Sequence, residues 1–174
     1  LWSDHGFHIG EKQNWEKFAL WDQTTRVPFF VHAPGVSRDG ASTRQPTTLT
    51  DIYPTLCELA GLPVPELCTG VSLVPQLKNP NAPRDRMALT AFQFWNEKTP
   101  SLAVADSRYQ FIRYGDGFEE LYDQEKDPHE FKNLIADPRL AKVKMRLANA
   151  LPKKVTPIQK IPQDSPFHRG RKRN

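Results

Sequence analysis

Apolar positions change texture along the chain. Up to about residue 85, short apolar runs are separated by long polar stretches; beyond it, four short β-type runs follow closely on one another. Leu1–Ser3 reads as the end of a buried strand that delivers Asp4 and His5 to its carboxyl tip, where open α/β sheets place their ligands. Residues 7–21 are polar and aromatic-rich and predict a loop with a short helix. Residues 27–32 (Val-Pro-Phe-Phe-Val-His) are almost continuously apolar, the pattern of a strand covered on both faces, and Ala33-Pro34-Gly35 ends it. A helix is predicted over residues 51–60. Asp51 is its cap, Pro54 falls in the first turn, Gly61 closes it, and Ile52, Leu56, Leu59 and Ala60 form the buried stripe. Residues 62–85, with Pro63, Pro65, Pro75, Pro80 and Pro83, read as an irregular linker.

Residues 88–94, 101–105, 109–114 and 119–123 then predict a small antiparallel sheet, with Gly115-Asp116-Gly117 as one of its turns. Asp137 and Pro138 supply an N-cap and a first-turn proline for a helix running to about Leu151. Its apolar positions Leu140, Val143, Leu147 and Leu151 recur at three- and four-residue steps, giving one face to lay on the sheet. The pattern divides the chain into an α/β part (1–85), an α+β part (86–151) and a proline-rich tail (152–174).

Charge alters this picture only at the end. The chain carries +4, but residues 152–174 hold seven Lys/Arg against one acid, which leaves seventeen Lys/Arg against nineteen acids in residues 1–151, a net −2. The basic character therefore belongs to the tail. No aromatic platform or recognition motif accompanies it, so nucleic acid is not an expected partner; attraction of a polyanionic substrate is the weaker functional reading. No run of eighteen apolar residues exists, and no membrane span is expected. The chain starts on Leu-Trp without an initiator Met, as expected of a truncated or processed product whose targeting signal lies upstream. Cys57 and Cys68 make no disulfide framework, and Cys57, within the predicted helix, reads as a buried thiol. No Asn-x-Ser/Thr sequon is present, which disfavours a glycosylated lysosomal or secreted animal protein.

The candidate chemistry lies in the first seventeen residues. An Asp and an imidazole side by side at a strand tip make half of a hard-metal site, and Lys17 follows thirteen positions after Asp4. A metal-bound oxyanion needs such a cation nearby. Alone, Asp-His-Gly is more often a surface turn. His8 and Lys12 are candidate substrate contacts, although a loop His or Lys is more often simply solvated. Trp15 and Trp21 fit a pocket wall or plain packing equally well. Asp127-Pro128-His129-Glu130 reads as a turn of surface acids rather than a second metal site.

Ser3-Asp4-His5-Gly6-Phe7-His8-Ile9-Gly10-Glu11-Lys12, continuing through Trp15-Glu16-Lys17 to Thr25-Arg26-Val27-Pro28, resembles the metal- and sulfate-binding segment of type I sulfatases. Three further stretches look like the same family: residues 50–56 (Thr-Asp-Ile-Tyr-Pro-Thr-Leu) with 60–63, residues 70–73 (Gly-Val-Ser-Leu), and residues 120–123 (Glu-Leu-Tyr-Asp) with 127–130 and Asn133-Leu134. They stand in family order and span residues 1 to about 151. The look is closest to iduronate-2-sulfatase-like and choline-sulfatase-like enzymes, in which His follows the metal-binding Asp.

The resemblance implies the C-terminal part of an alkaline-phosphatase-like mixed sheet with helices, followed by a small antiparallel sheet packed on a C-terminal helix. It implies Asp4 and His5 as calcium ligands, Lys17 as the catalytic, sulfate-binding lysine, and His8 as a substrate contact. The implied reaction is sulfate ester hydrolysis, on a sulfated carbohydrate, by a formylglycine nucleophile lying upstream, in an extracytoplasmic location (periplasmic, secreted or lysosomal-like). The chain departs from the family in lacking the Cys/Ser-x-Pro-x-Arg motif: Cys57 precedes Glu-Leu-Ala-Gly, Cys68 precedes Thr-Gly-Val-Ser, and Ser165-Pro166 has its proline one position early. The missing N-terminal part is thus the implied partner, and this piece alone is expected to be inactive. The alternatives are a two-metal phosphoesterase or phosphonate hydrolase of the same superfamily, whose extra ligands His32, His129 and His168 do not supply at ligand spacing, and a non-catalytic polyanion-binding module.

Overall fold

The computed structural model describes residues 1–94 and 99–156. Residues 157–174, most of the expected tail, lie outside them. The architecture is mixed α/β, with helices and two antiparallel sheets. Two short strands, β1 (His8–Ile9) and β2 (Trp15–Glu16), form a small hairpin around a 3-10 turn at Glu11–Gln13. The helix turn α1 (Asp22–Thr25) follows, then α2 (Ile52–Leu59) and α3 (Val74–Lys78). Four strands, β3 (Ala88–Phe92), β4 (Ser101–Ala105), β5 (Tyr109–Arg113) and β6 (Glu119–Asp123), form a meander in sequence order. The chain closes on a 3-10 turn at Pro138–Leu140 and α4 (Ala141–Ala150). Among the described residues no helix is long and apolar enough to cross a membrane.

The four-strand sheet is covered on both faces, and its register decides what each face meets. Val104 pairs with Phe111 and Phe111 with Leu121, which stacks these side chains on one face. With Leu102 they enclose Leu147 and Leu151, and Leu140 and Val143 pack at the edge, so the predicted stripe is the one α4 buries. Asp137 caps the 3-10 turn at Pro138–Leu140 that leads into α4, its carboxylate accepting from the Arg139 amide. On the opposite face Ala103, Ile112 and Tyr122 pack against Leu20, with Trp21, Phe92 and Tyr114 around them. Gln110, Glu120 and Tyr122 share that second face, and each of them bonds the residues 12–21 segment. The sheet is therefore the floor on which the N-terminal site segment rests.

Several expectations are corrected. Residues 27–32 do not form a sheet strand. Phe29 makes a single antiparallel bridge with Trp2, supported by Phe30 and Leu1 exchanging backbone bonds of 2.8 and 2.9 Å. A doubly covered strand needs sheet neighbours, and among the described residues only 1–3 pair with it. Residues 7–21 hold a short 3-10 helix at Glu11–Gln13, but it is the turn of a hairpin rather than part of a loop, because Gly10 (φ 128°) and Lys12 (φ 54°) turn the chain back. The supposed linker contains α3, whose Pro75 is a helix-starting proline.

The buried face of α2 is also not the predicted one. Leu56 is 56% exposed, whereas Pro54, Thr55 and Cys57 are buried. Polar bonding sets this face: Thr55 Oγ1 donates to the Asp51 carbonyl (2.6 Å) and accepts from the Leu73 amide (2.9 Å). Asp51 stands at the N-cap position of α2 but, against expectation, its side chain makes no cap bond to that helix. Its fully buried carboxylate takes the amides of Thr48 (2.9 Å) and Val71 (2.8 Å) and the Arg84 guanidinium (2.6 Å), tying three segments together. Both cysteines are free, and Cys57 is buried.

Candidate functional site

Asp4, His5 and Lys17 converge at one rim of an open depression of about 1420 Å³, which Arg26, Arg38 and Arg44 also line. The tip that carries them is fixed by its backbone. The Gly6 amide donates to the Thr24 carbonyl (2.8 Å), and Ser3 Oγ donates to the His5 carbonyl (2.8 Å). A Cβ on Gly6 would stand 2.0 Å from the Gln23 carbonyl oxygen, so only glycine allows this approach to α1.

The contacts of His5 define its tautomer. Nδ1 lies 2.7 Å from the Gly6 carbonyl, which can only accept, so Nδ1 carries the proton. Nε2 then keeps its lone pair, and the Lys17 ammonium donates to it at 3.0 Å. Asp4 Oδ2 lies 3.6 Å from the same nitrogen. The imidazole lone pair thus meets the Lys17 ammonium with the mostly exposed Asp4 carboxylate beside it, and a cation bound by His5 Nε2 would take the place of the ammonium contact. Oxygen and nitrogen donors of this kind fit a divalent cation, but two donors are half a shell. Among the described residues no group of three His, Cys, Asp or Glu side chains could hold a metal. Asp127–Glu130 forms no such group either.

Between His5 and Lys17 the chain runs through the hairpin, and here the expected role of His8 meets a different environment. His8 is completely buried and does not line the depression. Its Nδ1 bonds Thr24 Oγ1 (2.8 Å), its ring meets Trp21 edge-on at 5.7 Å, and burial lowers its pKa. Lys12 reaches away from the tip into the sheet. Its ammonium donates to Tyr122 Oη (2.8 Å) and the Glu130 carbonyl (2.7 Å) and lies over the rings of Trp21 (4.1 Å) and Tyr122 (4.4 Å). Trp21 is therefore packing rather than an open wall, with Nε1 donating to Glu120 (2.8 Å), while Trp15 is exposed.

The Asp127–Glu130 turn is not made only of surface acids. Glu130 is 1% exposed; its carboxylate accepts from the Asp22 amide (2.9 Å) and faces Gln124. Burial, with the Asp22 carboxylate adding to it, pushes its pKa up to about 7. Asp22 is raised too, chiefly by burial. Gln124 bridges this pair to the sheet, donating to Asp22 (3.0 Å) and Gln110 (3.0 Å), and Gln110 donates to the Leu20 carbonyl (2.6 Å). Gln110 carries no sequence sign of supporting a site near residue 4, and Tyr122 and Glu130 are marked only by lying in family-like stretches; their partners in space reveal the support.

This tip, resting on this sheet, defines a sulfatase C-terminal portion. Residues 10–156 match the family N-sulphoglucosamine sulphohydrolase, C-terminal, and the chain belongs to that family, whose hydrolases use a metal ion and a formylglycine. It is 38% identical over 133 residues to a sulfatase of Formosa agariphila, covering 76% of this chain and 25% of that one. It is 34% identical over 154 residues to a Delta 4,5-hexuronate-2-O-sulfatase of Bacteroides thetaiotaomicron, covering 82% and 31%. Among solved structures it is similar to a 2-O GAG sulfatase (TM-score 0.74, 31% identity, 85% of this chain and 34% of that one). It is also similar to a phosphonate monoester hydrolase of Agrobacterium radiobacter (TM-score 0.70, 28% identity, covering 85% and 32%). The chain spans a quarter to a third of the length of these relatives.

Proposed function

We propose that this chain is the C-terminal portion of a sulfuric ester hydrolase acting on sulfated glycans, and that Asp4, His5 and Lys17 are its share of the active site. The observation that carries the reading is the convergence of the Asp4 carboxylate, the His5 Nε2 lone pair and the Lys17 ammonium. The sulfatase relatives, two of them named for 2-O sulfate groups on uronates or glycosaminoglycans, support the substrate class. Asp4 and His5 would hold a calcium ion jointly with ligands from the N-terminal part. Such an ion supplies Lewis-acid stabilisation to the sulfuryl oxygens.

Within this chain, the Gly6 carbonyl keeps the His5 proton on Nδ1, so the ring presents Nε2 as a donor atom. Lys17 binds the sulfate and stabilises charge on the ester oxygen as the S–O bond breaks. The nucleophile is assigned upstream, since neither cysteine sits in a Cys-x-Pro-x-Arg setting. Residues 1–85 belong in this reading to the catalytic α/β unit and 86–151 to the C-terminal subdomain. His8 is read as support for the hairpin rather than as a substrate contact. An extracytoplasmic location is proposed with it.

The test is sulfate release by the complete protein, carrying the N-terminal part its relatives have. Lys17→Ala should lower kcat by about a hundredfold or more without changing the circular dichroism spectrum; wild-type kinetics in that variant would remove Lys17 from the mechanism. The phosphonate monoester hydrolase neighbour favours a second reading. Faster turnover of phosphonate monoesters than of sulfate esters would select it.

A further inference from the structure

Among the described residues, three of the four non-glycine residues with positive φ, Lys12 (54°), Gln13 (57°) and Glu16 (74°), lie in the hairpin between His5 and Lys17. Left-handed backbone at such residues persists only when surrounding contacts hold it, and it clusters at functional sites. Beyond the His8–Glu16 and Ile9–Trp15 pairing and the Ile9 amide bond to the Glu11 carboxylate (2.8 Å), the turn is closed by three backbone bonds. Gly10 N–H donates to Asn14 (3.1 Å), Gln13 N–H to Gly10 (3.0 Å) and Asn14 N–H to Glu11 (3.0 Å). Ile9 and Trp15 are exposed. Besides buried His8, Lys12 ties this turn to distant parts of the molecule through Tyr122 and Glu130.

We propose that Lys12 is a positioning residue: its ammonium, held between the Trp21 and Tyr122 rings and bonded to Tyr122 Oη and the Glu130 carbonyl, fixes the strained hairpin on the sheet and thereby sets where Lys17 stands relative to His5. The geometry makes this a latch between two separate parts of the sequence, since its partners lie 110 and 118 residues away. A half-buried ammonium in an aromatic box gains from ring quadrupoles and loses from desolvation. The two oxygen acceptors tip that balance toward holding the charge, and burial lowers the Lys12 pKa while nearby Glu120, Glu130 and Asp127 oppose the shift. Glu130 adopts a left-handed φ of 55°, bending the turn at the residue whose carbonyl accepts from Lys12. The Asp127–Glu130 motif thus works as the receiving end of the latch.

The inference rests on the proposed role of His5 and Lys17, and its test separates the two. Hydrogen exchange is measured on the complete protein, wild type against Lys12→Met and Lys12→Arg. In Lys12→Met the amides of Gly10, Gln13 and Asn14 should exchange about tenfold faster or more, while those of β4–β6 keep their protection. With a sulfate ester, kcat should fall by about tenfold or more with KM within about threefold. Lys12→Arg, which keeps the cation, should restore most of both. Should Lys12→Met unfold the sheet as well, Tyr122→Phe removes only the hydroxyl partner and should raise hairpin exchange alone. Unchanged hairpin exchange in these variants overturns the latch; a loosened hairpin with unaltered kcat overturns its positioning role. Absence of sulfate ester turnover by wild type would instead sink the proposed function, and the exchange data would still decide the latch.

Discussion

Glu130→Gln isolates the most perturbed acid in the support of the site. The carboxyl is 1% exposed and its pKa is pushed up to about 7 from an ordinary 4.5. The folded protein therefore holds this proton more tightly than the unfolded chain does. Its stabilising contribution is complete below about pH 4.5, declines between 4.5 and 7, and is gone above 7. A difference of about 2.5 units at 1.36 kcal/mol each is about 3 kcal/mol. Glutamine keeps an oxygen for the Asp22 amide and cannot ionise, so the variant lacks this slope. Any cost of crowding the Gln124 amide is the same at every pH. Asp22, also raised chiefly by burial, contributes a slope of the same sign to both proteins, and its interaction with the Glu130 charge is part of the difference measured. Urea unfolding of both proteins at pH 5, 6, 7 and 8, followed by tryptophan fluorescence, should show the variant gaining on wild type by about 2–3 kcal/mol from pH 5 to pH 8. A difference that stays constant within about 0.5 kcal/mol across the series would refute the assignment of a proton to buried Glu130.

Two further predictions concern the frame. Arg84→Met strands the fully buried Asp51 carboxylate beside two amides, and should cost about 3–5 kcal/mol in unfolding free energy; a loss below about 1 kcal/mol would show that Asp51 does not depend on its guanidinium partner. Gly6→Ala drives a Cβ into the Gln23 carbonyl at 2.0 Å, so the tip must shift away from α1. Metal affinity of the complete protein should fall in that variant by about tenfold or more while its melting curve moves by only a few degrees; calorimetric metal titration checks the first half and a thermal unfolding scan the second.

Legibility in the sequence followed how local the cause was. Strands β4–β6 and the α4 stripe were readable because β-type runs, turn residues and a helical period all agree there, and Leu147 lies where that period puts it. Residues 27–32 misled because a doubly covered strand pattern reports burial between partners, not the partners themselves; what the described residues supply is one bridge at Phe29. The α2 face was misread because hydrophobicity was taken to choose it, whereas Thr55 and Asp51 choose it by hydrogen bonds to Leu73 and Val71. At the site, Asp4, His5 and Lys17 were legible as residue types at a spacing and do come together. The burial of His8 and Glu130 was not, since both are polar residues whose partners lie on distant segments. Lys12 looked like a solvated loop lysine for the same reason, its aromatic box being completed by Tyr122 at a separation of 110 residues.

The central claim is that Asp4 and His5 are ligands of one metal ion completed by the N-terminal part. Metal content of the purified complete protein, after dialysis against a defined low calcium concentration, tests it most directly. The account predicts one calcium per wild-type molecule, and its loss in both Asp4→Ala and His5→Ala with the fold retained. Unchanged calcium in either variant, or two transition-metal ions in the wild type, would contradict it.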